Sequence, residues 1–139
     1  MKTKSKAALF LMELIVGIAV FAVCAAVAIR IISVSHAIVI DAADTRQALF
    51  AAENAAESHR AFGGDFERVA LFLNGTIDGD VMTIFYCGDW TSVDEADAAF
   101  GMTVERSESN GVVFADISVV RLSSDDELIA FTAAARGNE

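Results

Sequence analysis

The chain of 139 residues has no proline, only two cysteines and two histidines, and no lysine beyond residue 6. Each shortage excludes something. Without proline, no ring removes a backbone donor, so a helix that starts early meets no proline to end it. Two cysteines, Cys24 and Cys87, cannot build a disulfide framework. Cys24 sits in the most apolar stretch and Cys87 far beyond it, so both read as small packing residues. His36 and His59 are 23 residues apart in what reads as one helix. That is ~35 Å along the axis, so the two cannot share a site. There is no HExxH, no phosphate-binding GxxxxGK[ST] loop and no paired-cysteine zinc spacing. The residues therefore suggest neither an enzyme nor a cofactor.

Charge is scarce early and one-sided later. Residues 14–29 are 16 consecutive uncharged positions, and extending back across Glu13 to residue 7 gives 23. About 20 apolar residues suffice to cross a ~30 Å hydrocarbon core. Lys2, Lys4 and Lys6 precede this segment and only Arg30 closely follows it. That asymmetry orients the N-terminus to the cytoplasm and exports the rest. From residue 31 onward six arginines face 19 acidic residues, an excess of 13 negative charges. So acidic an exterior argues against nucleic acid and against docking on anionic headgroups.

Glu13 is the only charge inside the apolar stretch. A carboxylate placed in a bilayer costs roughly 2.5–3.5 kcal/mol even on lenient insertion scales, so it needs a partner. The segment itself offers none. Before it come the three lysines, the small residues Ala7 and Ala8, and then Leu9-Phe10-Leu11-Met12. This N-terminus resembles that of the type IV pilins and type II secretion pseudopilins. The resemblance implies that a prepilin peptidase cuts between Ala8 and Leu9, and Glu13 becomes the fifth residue of the processed chain. It further implies that Glu13 pairs with the free, methylated amine of a neighbouring subunit's Leu9 in a filament. An assembly ATPase and a membrane platform protein follow as partners. Ala8 and Leu9 depart from the family's usual glycine and phenylalanine. The missing cysteine pair and helix-kinking proline fit a minor subunit better than a major one. Gly17, Ala22, Ala25, Ala26 and Ala28 would let helices approach closely.

Two other readings compete. Ala26-Val27-Ala28 has the small-residue pattern of an ordinary signal peptidase site, which would release a secreted soluble binding domain. Glu13 would then interrupt the signal's apolar core. Alternatively, an uncut anchor would carry a ligand-binding head. Neither explains why a helical pattern runs so far past the apolar segment.

No glycine or proline interrupts residues 18–62. Ile31, Val34, Ile38, Ala42, Leu49, Ala52 and Ala56 recur at helical spacing, with Asp41, Asp44, Glu53 and Glu57 on another face. One helix over residues 7–60 would measure about 80 Å. Gly63-Gly64 ends it, and Asp65 is placed to cap a short helix containing Phe66, Val69, Ala70 and Leu73. Strand patterns follow at residues 81–86, 102–106, 112–122 and 128–133. In the third, Val113, Ala115, Ile117 and Val119 take one face, with Asp116 and Ser118 on the other. Asn110-Gly111 predicts a type I′ hairpin. Ser92-Val93-Asp94-Glu95 has capping-box spacing and predicts a helical turn up to Phe100.

The expected fold is α+β: a long N-terminal transmembrane-plus-amphipathic helix packed on a small antiparallel meander of about four strands. Residues 1–8 would be leader, 9–62 the long helix (membrane part about 9–32) and 63–139 an extracytoplasmic head. Asp78 and Asp80, and Asp125 and Asp126, stand in predicted turns and are candidate calcium ligands, although neither pair matches an EF-hand. Trp90, within Tyr86-Cys87-Gly88-Asp89-Trp90, reads as a lid on the core.

Overall fold

The structure, a computed structural model, describes the backbone of residues 2–136 and the side chains of residues 6–136. Helix α1, Lys2–Ala61, is a single element of 60 residues. Chain contacts divide the protein into two compact units, one reaching to Ala42 and the other beginning at Ala43.

The first unit is helix alone. Its large apolar side chains, from Leu9 to Ile40, are exposed on every side. Among the described residues nothing packs on this apolar helix, which is long and apolar enough to cross a membrane. The Ser33 and Ser35 hydroxyls donate back to the carbonyls of Ile29 and Ile31 at 3.0 and 2.8 Å. Such back-bonding satisfies a hydroxyl without water. The helix starts at Lys2, so the residues expected to be leader continue it as helical backbone. The side chains of Lys2 and Lys4 lie outside the described residues, and that of Lys6 is exposed.

In the second unit, the last turns of α1 cover one face of a sheet. Ala48, Ala52, Ala55 and Ala56 form a fully buried stripe. Their spacing keeps them on one side of the helix, and their size lets it sit close to the strands. Helix α2, Phe66–Leu73, buries Phe66, Val69 and Ala70. The Asp65 carboxylate accepts from the Arg68 N–H at 3.2 Å, the expected cap, and Asn74 closes the helix in a left-handed conformation at φ 55°.

The strands are β1 (Thr76–Asp78), β2 (Val81–Tyr86), β3 (Ser92–Val93), β4 (Phe100–Ser109), β5 (Val112–Arg121) and β6 (Asp126–Arg136). All pairings are antiparallel, in the order β1-β2-β4-β5-β6, with β3 also on β2. Six strands replace the expected four. The additions are β1 and β3, three and two residues long, too short for any periodicity. The helical turn expected from Ser92 is instead β3 followed by a 3-10 turn at Glu95–Asp97. Pairing of Val93 with Phe85 wins, and the Asp94 side chain makes no capping bond. The Asn110-Gly111 hairpin forms as expected, both residues at positive φ (54° and 76°), as a type I′ turn requires.

Met82, Ile84, Met102, Val104, Ala115, Ile117, Val119 and Ala133 alternate inward to meet the alanine stripe and α2. One charged residue assigned to the exposed helix face is not there. Asp44 is half-buried and accepts from the Arg121 guanidinium at 2.9 Å, linking α1 to the end of β5. A double-mutant cycle on Asp44→Asn and Arg121→Gln is expected to give a coupling of about 1 kcal/mol, the upper end for incompletely buried pairs. A coupling indistinguishable from zero would show that the pair only decorates the surface.

Candidate functional site

Glu13 is where sequence and geometry converge. On α1 the positions of Phe10, Glu13, Leu14, Gly17 and Phe21 are separated by three, one, three and four residues, so they share one helix face. These residues, with Ile18, line an open groove. Gly17 makes the notch: beyond its chain neighbours and the adjoining helix backbone, nothing described lies within 4 Å of where its Cβ would be. Phe10 and Phe21 wall the groove, 67% and 75% exposed. The Glu13 side chain is also exposed, and among the described residues none donates to its carboxylate. The nearest described cation in sequence, Lys6, is seven positions away, about 10 Å along the helix axis. The result is an unpaired acid at the rim of an apolar notch that would admit another helix or a chain terminus. Ala8 and Leu9 are exposed helical residues one turn before Glu13.

No family model matches this chain, and no curated protein or solved structure matches it. The helix is long and apolar enough to cross a membrane. The fold is α+β, a long apolar N-terminal helix with a small antiparallel sheet.

The other sequence candidates are placed apart. Asp78 ends β1 and Asp80 lies in the β1–β2 turn, where its carbonyl accepts from the Arg106 N–H at 2.7 Å. Asp125 and Asp126 lie at the β5–β6 turn, where Asp126 accepts from the Ser124 hydroxyl at 2.6 Å. With β4 between β2 and β5, the two pairs belong to different edges of the sheet. Among the described residues no three His, Cys, Asp or Glu side chains are grouped to hold a metal ion. His36 is exposed on α1. Cys24 and Cys87 are both free.

Two local arrangements were not legible beforehand. His59 is 1% exposed, and its Nε2–H donates to the Val113 carbonyl at 3.2 Å, fastening α1 to the start of β5. Its partner is 54 residues away in sequence, so no local signal marks it. Cys87 is not the simple buried hydrophobe its surroundings suggest. The Cys87 thiol donates to the Asp89 carboxylate at 2.7 Å, and the Thr91 hydroxyl and N–H donate to the same oxygen at 2.6 and 3.1 Å. Trp90, held at φ 66°, stacks on Phe100 at 4.3 Å between ring centres, the expected lid.

Those donors, the Cys87 thiol first and then Thr91, hold the Asp89 carboxyl at about 2, against an ordinary value of 3.8. A depressed carboxyl supports the folded turn fully above its ordinary value and loses that support as pH falls toward about 2. The Asp89 side-chain resonance should therefore titrate with a midpoint near 2 in an NMR pH series. Cys87→Ala should move that midpoint upward. A wild-type midpoint near 3.8 would show that the donors do not hold the ionised form.

Proposed function

We propose that this protein is a non-enzymatic, pilin-like structural subunit, inserted by α1 with its head outside the cytoplasm. It is cut between Ala8 and Leu9 by a prepilin peptidase and assembled through α1 into a type IV pilus or type II secretion-like pseudopilus, as a minor component. The observation that supports this reading is the Glu13 carboxylate on an exposed apolar helix face, with no donor to it among the described residues. An exposed apolar helix with one acid needs two kinds of cover, apolar surface and a cation. A second subunit's helix bearing a freshly exposed α-amine supplies both. Lys2, Lys4 and Lys6 orient the chain before the cut and leave with the leader.

The groove at Gly17 and the run of small residues from Ala22 to Ala28 support close helix–helix packing as the assembly mode. The partners are other pilin-like subunits, the peptidase, an assembly ATPase and a platform protein. No nucleic acid is expected to bind so acidic a head.

The deciding experiment is the intact mass and N-terminal sequence of the protein purified from its own host's membranes. A chain starting at a methylated Leu9 supports the subunit reading and provides the amine that Glu13 needs. A chain starting at Ile29 makes this a secreted soluble domain and sinks the filament reading. An uncut chain, in a host with active prepilin peptidase, leaves a membrane-anchored binding head.

A further inference from the structure

The two edges of the sheet are built differently. One is blunted by β1 and β3, only three and two residues long. The other is β6, 11 residues from Asp126 to Arg136, which among the described residues pairs with β5 alone. An open strand edge presents a row of unpaired N–H and C=O groups, and natural proteins usually protect it with lysine, proline, inward charges, a bulge or short length. Residues 128–135 of β6 are eight consecutive positions without charge, lysine or proline. At about 3.4 Å per residue they leave on the order of 25 Å of pairing edge. The register shift between Val119 and Val120 sets Leu128 out of line, at one end of this stretch.

The core is also less complete along this edge. Ala133 and Ala135 are buried, but Ile129 and Phe131, pointing to the same side, are only half-buried. Phe131 lines a groove of about 400 Å³ with Leu49, Glu53, Ala56, Glu57 and Arg60 of α1. Arg60 is held by Glu57 at 2.6 Å, so its charge is already answered. Glu53 on the groove, and Asp126 and Glu127 at the start of β6, make this end of the edge acidic, with Arg136 alone at the other end of the strand.

We propose that the β6 edge is a docking site for an extended, basic segment of another exported protein, added antiparallel as a seventh strand. Main-chain pairing supplies the affinity, alternate apolar side chains enter the groove beside Phe131, and basic residues meet Asp126, Glu127 and Glu53. A second copy of this chain is the poorer occupant. It would bring together two units, residues 43–139, that each carry 12 excess negative charges, 18 acidic residues against six arginines. The inference rests on the head lying outside the cytoplasm and not on assembly into a filament.

The test uses the full chain in detergent micelles. The probe is a fluorescein-labelled nine-residue peptide alternating lysine and valine. A control of equal charge has its two central valines replaced by proline. The alternating peptide should bind at least tenfold tighter than the control by anisotropy, and slow amide exchange at residues 128–135 at least tenfold. Phe131→Glu should weaken binding tenfold, with β4 amides keeping their protection. Simple charge attraction would make that variant bind better.

Equal binding of the two peptides, or no binding, overturns the proposal. So does protection of β6 without peptide that grows with protein concentration, which would make the occupant a second copy. The comparison of the two peptides on the unmodified chain remains decisive if Phe131→Glu fails to fold.

Discussion

Replacing Glu13 by leucine is expected to leave the protein in the membrane and to remove it from the filament. Removing a carboxylate from an apolar helix lifts an insertion cost of roughly 2.5–3.5 kcal/mol, so membrane content should not fall. Leucine also keeps the groove between Phe10 and Phe21 apolar. What is lost is the one group on that face able to answer a neighbour's α-amine. If the pair is desolvated between helices, deleting the acid strands the amine, a penalty on the order of 3–5 kcal/mol. Subunit recovery in sheared filaments should drop at least a hundredfold, while cleavage after Ala8 persists. Glu13→Gln, which keeps a hydrogen-bond acceptor without charge, should fall between the two. Normal recovery of Glu13→Leu in filaments would remove the electrostatic role, even if the chain is a subunit.

The second large effect is expected at Gly64→Ala, in the head. Gly64 sits at φ +81°, and a Cβ there would lie 2.9 Å from Val113 Cβ and within 3.3 Å of both its methyls. The left-handed backbone costs a non-glycine residue about 1–2 kcal/mol. The clash with a buried β-branched side chain on a central strand adds about 1–3 kcal/mol, because Val113 cannot turn away freely. The strain also falls where His59 fastens α1 to the Val113 carbonyl, and where the Gly64 N–H donates to the His59 carbonyl at 2.9 Å.

Together these effects give about 3 kcal/mol, or a fall in melting temperature on the order of 10–20 °C for a domain of this size. Gly79→Ala is the control. Gly79 also has positive φ (63°), but nothing lies within 4 Å of its would-be Cβ. It should therefore cost only about 1 kcal/mol. Melting followed by the near-ultraviolet signal of Trp90 in detergent compares the two. Equal shifts would show that the approach to Val113 carries no energy.

What residue types alone dictate follows a physical boundary. A long helix was legible because apolarity and the lack of any breaker over residues 18–62 are local properties. The I′ hairpin at Asn110-Gly111 was legible because positive φ at two successive positions restricts residue choice. The alternation in β5 was legible because one of its faces is core and the other is not. Glu13 stood out because a lone acid in an apolar run carries a cost wherever the segment ends up.

The misses fall where distant partners decide. β3 forms instead of a helical turn because β2 is already there to pair with it. Asp44 leaves the solvent face because Arg121, 77 residues away, comes to meet it. Leu49 and Ala48 are adjacent in sequence, yet the alanine carries the core contact because the sheet comes close to α1 on that side. Cys87 trades a packing role for a hydrogen bond because Trp90 holds its turn at positive φ and brings Asp89 within reach.

The helix, its apolar character, the isolated acid and the antiparallel class of the head are therefore legible in residue order. Each depends on residue type and short-range spacing, which the backbone reads directly. The six-stranded order, the alanine stripe as the packing face, the histidine fastening and the open β6 edge arise only when the chain packs. Strand neighbours and edges are set by which surfaces bury best together, and that choice couples residues too far apart for any local pattern to record.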